Sequence, residues 1–233
     1  MSDPKPALHD MLMRVAIDVE SSVSALLRLP KPAMACFVFA HGAGAGMTHS
    51  FMQEVSDGLA ERKVATLRYQ FPYVERGSKR PDSPAVAHGA VRAACLTAYE
   101  ATGLPLFAGG KSFGGRMTSQ AQAITPMPHV AGLAFLGFPL HSPEKPSSER
   151  ADHLTGVHVP MLFIQGTRDK LAEHARMSQV VSGLGSAAVL LTVQHADHAF
   201  NVLVRSGRTR DDVLVELLDG MADWMTDVLE PRS

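Results

Sequence analysis

The fold is decided by the stretch Leu106-Phe-Ala-Gly-Gly-Lys-Ser-Phe-Gly-Gly-Arg116. It contains Gly110-Lys-Ser-Phe-Gly114, which matches the pattern G-x-S-x-G. An apolar run precedes this pattern and a helix-compatible segment follows it, so we expect a strand, a sharp turn and a helix. A serine at such a turn is pushed out of the sheet, and side chains beside it would clash. The pattern therefore predicts that Ser112 is an exposed nucleophile, with Gly110 and Gly114 at positions where only small residues fit.

The same stretch has a weaker likeness to a phosphate-binding loop, because Gly110-Lys-Ser112 resembles the end of G-x-x-x-x-G-K-[ST]. That pattern requires glycine at position 105, which is Pro105, and Gly103 lies two residues too early. Proline also lacks the backbone N–H that such a loop uses to hold phosphate. A chance match in a glycine-rich loop is the other alternative. Catalytic partners elsewhere in the chain argue against it, and their absence would favour it.

Length, charge and cysteine usage limit the classes of protein that fit. The 233 residues suit one α/β domain, which we expect at 11–233 after a loose segment at 1–10. The net charge of −1 and the scattered Lys and Arg residues argue against nucleic-acid binding. We find neither the apolar core of a secretory signal nor an apolar run of about 18 residues, so no membrane contact is expected. Cys36 and Cys95 fall in apolar patterns, which is typical of buried thiols in a reducing cytoplasm.

Alternating strand and helix patterns predict an α/β fold with a doubly wound, mostly parallel sheet of about seven to eight strands. The predicted strands cover 14–20, 22–30, 33–40, 64–68, 104–108, 130–137, 161–165 and 187–193. The predicted helices cover 48–63, 85–102, 113–124, 171–182 and 209–229, and Thr48 is the expected N-cap of the first. We expect the strand at 22–30 to run antiparallel near the sheet edge. The irregular connection 138–159 has room for a short helix but not for a large cap.

A serine hydroxyl needs a base to act as a nucleophile, and the base needs an acid that orients it. On a sheet of this kind the partners follow later strands, first the acid and then the histidine. Asp169 comes just after the strand at 161–165, and His198 comes just after the strand at 187–193. We therefore assign Ser112 as nucleophile, His198 as base, and Asp169 as the acid that holds the imidazole in the right tautomer.

The loop 194–200 contains a rival base and a rival acid, His195 and Asp197. We prefer His198 because His195 lies too near the strand end, whereas His198 is far enough along the loop to swing over the nucleophile. A zinc site at the two histidines lacks a third ligand at a recognisable spacing. The alternative for Asp169 is a structural role in a turn or as a helix cap. The chain order Ser112, Asp169, His198 favours the catalytic role.

The segment His41-Gly-Ala-Gly-Ala-Gly46 follows a strand that is apolar along its whole length. Tetrahedral intermediates need backbone N–H donors, and a turn with few side chains lets the backbone approach them. We predict an oxyanion hole formed by the N–H groups of Ala43 and Phe113, with Gly42 and Gly44 bordering the substrate. A glycine loop shaped only by packing is the alternative.

The order of these motifs resembles the α/β-hydrolase superfamily over about residues 11–230. The chain is similar to the small, capless, dienelactone-hydrolase-like branch. Closer still, Gly109-Gly-Lys-Ser-Phe-Gly-Gly-Arg116 and Arg68-Tyr-Gln-Phe-Pro-Tyr73 are similar to a subfamily that includes a testis-expressed protein and a subunit of a nuclear acetyltransferase complex. The resemblance implies the hydrolase fold, the Ser–Asp–His roles and chemistry on carboxylic esters. The subfamily also includes proteins suspected of scaffolding, so an interaction protein that has kept the fold is the alternative function.

We therefore expect a serine hydrolase of small esters, thioesters or lactones, without a cofactor or a metal ion, as a monomer or homodimer. Lys111 and Arg116 flank the nucleophile and are candidate substrate-binding residues. A cation in the first turn of a helix opposes the helix dipole at a cost of roughly 0.3–1 kcal/mol. We expect Arg116 to offset that cost by pairing with a carboxylate of the protein or with an anionic substrate. Tyr69 is predicted to line the pocket mouth.

Overall fold

The computed structural model describes residues 9–230. At its centre lies an eight-stranded sheet, and most of its neighbouring strands are parallel. The strands are β1 (Met11–Ala16), β2 (Ser22–Arg28), β3 (Ala35–Ala40), β4 (Val64–Tyr69), β5 (Leu106–Lys111), β6 (Val130–Leu136), β7 (Met161–Gly166) and β8 (Ala188–Val193). The middle strands are buried along their whole length because helices cover both faces of the sheet. The predicted doubly wound α/β fold is confirmed.

The strands lie across the sheet in the order β1-β2-β4-β3-β5-β6-β7-β8. β2 runs antiparallel to both of its neighbours, β1 and β4, which confirms the predicted antiparallel strand near the edge. All the pairs from β4 across to β8 are parallel. Their carboxyl ends therefore meet at one edge of the sheet, and the loops that carry the predicted site residues start there.

Two helical layers enclose the sheet. The helices are α1 (Ser50–Glu61), α2 (Pro72–Glu75), α3 (Pro84–Thr102), α4 (Phe113–Ile124), α5 (His174–Gly183) and α6 (Arg210–Leu229). Apolar residues of α1 and α6 share one core with one face of the sheet, and those of α3, α4 and α5 share a second core with the other face. The connection from β6 to β7 contains a short 3-10 helix, Glu149–Gly156, and no large cap is present within residues 9–230. None of the helices in this part of the chain is both long and apolar enough to cross a bilayer.

The first strand begins and ends earlier than the alternating pattern predicts. Instead of 14–20, it covers Met11–Ala16. A tight turn ends it, in which the N–H of Ile17 donates to the carbonyl of Ser21 at 2.9 Å and the carboxylate of Asp18 accepts from the N–H of Ser21 at 2.8 Å. These local bonds satisfy the backbone that a longer strand would have paired with β2.

The end of the predicted loose segment is held in place. Residues 1–8 lie outside the described residues, but Asp10 forms an ion pair with Arg28 at 2.9 Å and a second one with the fully buried Arg68. These contacts attach the start of β1 to β2 and β4. Asp10, expected in the loose segment, is therefore tied to the sheet.

Two local predictions around the first half of the sheet are wrong. His49 rather than Thr48 is the N-cap of α1, because its side chain accepts the N–H of Phe51 at 3.2 Å. The strand predicted at 64–68 extends to Tyr69, and α2, a helix missing from the predicted elements, starts at Pro72, a residue that suits the first turn of a helix.

The helix predicted at 171–182 begins three residues later, at His174. The backbone before it makes other contacts. The N–H of Leu171 donates to the side chain of Asp169 at 2.8 Å, and its carbonyl accepts from the N–H of Leu140 at 2.9 Å. The start of α5 is thus delayed because this segment anchors the predicted acid.

Candidate active site

Ser112 lies in the turn between β5 and α4. Its backbone has φ 50° and ψ −112°, a conformation that non-glycine residues rarely adopt. The turn packs directly on the end of β3, since a Cβ at Gly110 would lie 2.3 Å, and one at Gly114 2.5 Å, from the carbonyl oxygen of Ala40. No side chain fits at such distances, so the prediction for both glycines is confirmed. The close packing holds the strained turn in place, so that Ser112 lies at the edge where the carboxyl ends of the parallel strands meet.

Ser112, His198 and Asp169 are connected by two hydrogen bonds. The Nε2 atom of His198 lies 2.9 Å from the Oγ atom of Ser112, and its Nδ1 atom lies 2.7 Å from Oδ2 of Asp169. The three residues come from the loops after β5, β8 and β7. A carboxylate only accepts, so Nδ1–H is assigned as its donor, which leaves Nε2 to accept the serine proton. This arrangement can deprotonate Ser112 as its oxygen attacks an electrophilic carbon.

The acid is better supported than the sequence predicts. The side chain of Asp169 has 0% of its surface exposed, and it also accepts hydrogen bonds from Nε2 of Gln165 at 2.6 Å and from the N–H of Leu171 at 2.8 Å. These donors fix the carboxylate toward His198. Sequence reasoning missed Gln165, although a signal was present because it is the one amide in the otherwise apolar strand Met161–Gly166.

The rival residues shape the loop instead of joining the chain of hydrogen bonds. His195 is exposed, has φ 65°, and donates its backbone N–H to Oγ1 of Thr167 at 2.8 Å. Asp197 accepts the N–H groups of Ala199 and Asn201, each at 2.9 Å. In the part of the chain that the structure describes, no group of three or more His, Cys, Asp and Glu side chains could hold a metal ion.

The loop after β3 is anchored by a buried histidine. His41 has Nδ1 2.8 Å from the carbonyl oxygen of Gly42, and its Nε2 accepts the N–H of Phe71 at 3.1 Å. Burial is the main cause that lowers the pKa of His41 to about 4, so the ring is neutral at pH 7 and its Nδ1–H donates to Gly42. The carbonyl of Gly42 and the N–H of Ala43 belong to one planar peptide and point in opposite directions. His41 therefore fixes the direction of the Ala43 N–H.

The two predicted oxyanion donors are both unpaired. Neither the N–H of Ala43 nor that of Phe113 donates to any residue within 9–230. Ala43 lies on the wall of the cavity beside Ser112. Phe113 follows Ser112 directly and starts α4, and its ring packs against Phe71 at a centroid distance of 5.3 Å. The arrangement leaves two donors available for a developing negative charge.

Residues 68–71, part of the second motif that carries the family resemblance, form hydrogen bonds to the loop after β3. Beyond the bond from Phe71 to His41, the side chain of Gln70 accepts the N–H of Met47 at 3.1 Å. Arg68, which is fully buried, donates to the carbonyl of Met47 at 3.2 Å. Residues 68–71 thus hold both ends of the loop that follows β3, at His41 and at Met47.

A cavity of about 780 Å³ opens beside Ser112 and His198, within the range of about 300–1,000 Å³ that is usual for small-molecule sites. Apolar side chains from α1 and from the loop after β7 line part of this cavity: Phe51, Met52 and Leu171. Polar side chains also line it: His49, Asn201 and Arg210. The sequence alone does not identify these apolar lining residues, because an apolar residue that faces a cavity looks the same in a sequence as one that faces the core.

Of the glycines predicted to border the substrate, only Gly42 lies on this cavity. Gly44 lies on a separate depression beside Tyr73. The prediction that Tyr69 lines the pocket mouth is wrong. Tyr69 is fully buried at the end of β4, its ring packs against Phe71 at 5.5 Å, and burial raises the pKa of its hydroxyl. Because β4 is covered on both faces, even its last side chain points into the core.

The two cations near the nucleophile have unexpected surroundings. Lys111 lies on the cavity, yet its ammonium donates to the backbone carbonyl of His198 at 2.6 Å. Arg116 pairs with no carboxylate within residues 9–230, and its buried Nε has no hydrogen-bond partner. Burial is the main cause that lowers the pKa of Arg116, and Arg150 adds to it. Among residues 9–230 the structure thus shows neither of the two partners expected for Arg116: no carboxylate pairs with it there, and it does not line the cavity beside Ser112.

Comparison with known proteins agrees with this architecture. Residues 33–226 match the family model of the alpha/beta hydrolase domain. Similar solved structures include the dienelactone hydrolase from Anabaena variabilis ATCC 29413, with 20% identity, a TM-score of 0.77, and coverage of 96% of this chain and 99% of that one. Another is XC6422 from Xanthomonas campestris, an α/β serine hydrolase without a lid, with 18% identity, a TM-score of 0.72, and coverage of 95% and 98%. A third is Est1E from Butyrivibrio proteoclasticus, with 16% identity, a TM-score of 0.66, and coverage of 91% and 99%. At these identities the likeness concerns the fold.

Proposed function

Because this chain belongs to the alpha/beta hydrolase family, we propose that it is a serine hydrolase that cleaves small carboxylic esters, thioesters or lactones through an acyl-enzyme. The observation that carries the proposal is the chain of hydrogen bonds from Ser112 through His198 to Asp169 beside an open cavity. A folded core does not require these three polar groups in line at a cavity. A hydrolase does.

In the first half of the reaction, Oγ of Ser112 attacks the carbonyl carbon while Nε2 of His198 takes its proton. The carbonyl oxygen becomes an oxyanion, which the N–H groups of Ala43 and Phe113 stabilise; each such donor is typically worth about 10²–10³ in rate. The tetrahedral intermediate then collapses, and His198 gives its proton to the leaving alkoxide or thiolate. The acyl group remains on Ser112.

In the second half, a water molecule replaces the leaving group. His198 removes a proton from that water as its oxygen attacks the acyl carbon, and the same two N–H groups hold the new oxyanion. The collapse of this intermediate returns the proton from His198 to Ser112 and releases the carboxylic acid. Asp169 stays ionised throughout and stabilises the imidazolium that forms in each half.

The apolar lining of the cavity suits an apolar part of the substrate. The apolar side chains Phe51, Met52 and Leu171 suit an acyl chain or a hydrophobic leaving group. Within the family, we propose that the chain is closest to the subfamily that contains a testis-expressed protein and a nuclear acetyltransferase-complex subunit. The two sequence motifs at 109–116 and 68–73 support this, and both contribute to the site: the first carries Ser112, and the second makes hydrogen bonds to the loop after β3.

A panel of p-nitrophenyl esters of increasing acyl length tests the function. The wild-type protein should hydrolyse at least one of them, and Ser112→Ala should reduce kcat/KM by at least about 10⁴-fold. Ser178→Ala is the matched control, because Ser178 lies on α5 and bonds only within its own helix. A folded wild type that hydrolyses no ester, thioester or lactone would favour the interaction protein instead.

A further inference from the structure

Lys111 occupies an unusual position for a lysine. It is the last residue of β5, directly before the nucleophile, and its ammonium turns from the cavity wall toward the base. The Nζ atom donates to the carbonyl of His198 at 2.6 Å and lies 5.5 Å from the centre of the Phe200 ring. Lys111 thus links the turn that carries the nucleophile to the loop that carries the base.

The loop that receives this hydrogen bond is strained. His195 and Phe200, on either side of the base, have φ values of 65° and 63°. Such conformations persist where surrounding contacts hold them. Asp197 supplies some of those contacts by accepting N–H groups within the loop. Lys111 supplies a contact that acts on the backbone of His198 itself.

The ammonium and the imidazole share the same small space. A Cβ on Gly137, at the end of β6, would lie 2.9 Å from Nζ of Lys111 and 3.4 Å from both Cε1 and Nδ1 of His198. Glycine at this position lets both groups pack against the backbone. The titratable groups around the ammonium are His198, Asp169 and Asp197, which come from the loops after β7 and β8.

We propose that Lys111 is a positioning residue for the base, holding the carbonyl of His198 so that its imidazole stays in line between Asp169 and Ser112. This role rests on the proposed hydrolase function. A methionine of similar length would fill the same space without the cost of burying a charge. A charge kept at that cost beside the base indicates a contribution to catalysis.

The role has a consequence at alkaline pH. Burial is the main cause that lowers the pKa of Lys111 to about 8, and Asp169 and Asp197 oppose it. Above that pH the amine is neutral, and a neutral donor forms a weaker hydrogen bond to a carbonyl than an ammonium does. The rate should therefore decline as pH rises through about 8.

The test compares wild type with Lys111→Met in kcat/KM for one p-nitrophenyl ester from pH 6 to pH 10, after subtraction of the uncatalysed rate. At pH 7 the variant should be slower by about 10- to 100-fold. The wild type should lose about 3- to 10-fold between pH 7 and pH 10, and the variant should show no such decline. Its melting temperature at pH 7 should stay within about 4 °C of that of the wild type, because the loss of a hydrogen bond and the removal of a partly buried charge act in opposite directions.

Equal rates at pH 7, or the same alkaline decline in both proteins, would overturn the positioning role. A much lower melting temperature in Lys111→Met would do the same, since it would make the lysine a structural residue. The wild-type pH profile tests the role even if the variant fails to fold, because a flat rate from pH 7 to pH 10 contradicts it. Failure of the hydrolase function is distinguishable, since the wild type would then turn over no ester at any pH.

Discussion

The variant Asp169→Asn keeps the size of the acid and removes its negative charge. In the wild type the buried carboxylate accepts from Nδ1 of His198 at 2.7 Å, from Nε2 of Gln165 at 2.6 Å and from the N–H of Leu171 at 2.8 Å. If the asparagine keeps its oxygen toward the N–H of Leu171, its NH₂ group faces Nδ1–H of His198 and the Nε2 amide of Gln165. Both of these groups are donors, so neither can accept a hydrogen bond from it. The imidazole can be satisfied only by changing tautomer, which puts a proton on Nε2 facing Ser112.

An Nε2 that already carries a proton cannot accept the one from Ser112. The same exchange in a chymotrypsin-type triad costs about 10⁴ in kcat, and we expect a loss of about 10³–10⁴ in kcat here. The fold should survive, because a buried donor left unpaired costs about 1–3 kcal/mol against a typical domain stability of about 5–15 kcal/mol. Steady-state hydrolysis of the best ester measures the first effect, and urea unfolding measures the second.

The control is Asp197→Asn, the same chemical change at the rival acid. Its oxygen can still accept the N–H groups of Ala199 and Asn201, so the loop should keep its shape and kcat should fall by less than about tenfold. If Asp169→Asn stayed within tenfold of the wild type, the acid would be misassigned. A larger loss in Asp197→Asn than in Asp169→Asn would transfer the role to the rival.

Three further substitutions test separate parts of the structure. Arg116→Met should raise the unfolding free energy at pH 7 by about 1 kcal/mol in urea titrations, because it removes a partly buried guanidinium whose Nε has no partner; lower stability would reveal an ion pair. Gly114→Ala should lower that free energy by about 1–3 kcal/mol, because the new Cβ would meet carbonyl oxygens of Ala40 and His41 at 2.5 and 2.6 Å. A thermal melt that matches the wild type would contradict the close packing. Since the pKa of His41 is lowered to about 4 by burial, the unfolded chain binds more protons than the folded one between about pH 6.5 and pH 4, and stability falls as pH drops through that window. The wild type should lose about 3 kcal/mol more than His41→Gln between pH 7 and pH 4, and equal losses would mean that His41 is not kept neutral by burial.

The sequence predicts best what short-range chemistry decides. The helix predicted at 113–124 has the observed bounds, Phe113–Ile124, and it starts directly after the tight turn that Gly110 and Gly114 permit. Asp169 and His198 are predicted from chain order and from their places in loops that follow two parallel strands, and the structure brings both into one chain of hydrogen bonds with Ser112. In these cases a local pattern and a general property of parallel sheets suffice.

Contacts between distant segments lie beyond such reasoning. The burial of Tyr69 depends on the cover of both faces of β4, and its aromatic character fits a pocket equally well. The hydrogen bond from Lys111 to the carbonyl of His198 joins residues 87 positions apart. Similarly, Arg116 looks like a residue in need of a carboxylate, and only the folded chain reveals that it pairs with none within residues 9–230.

Intact-mass spectrometry after incubation with a fluorophosphonate probe tests most directly whether Ser112 is a nucleophile activated by His198. The wild type should gain the mass of one phosphonyl group, and peptide mapping should locate it on Ser112. Folded Ser112→Ala should gain none, and His198→Ala should react at least about 10³-fold more slowly. A folded wild type that stays unlabelled, or a label that persists in Ser112→Ala, would contradict the assignment.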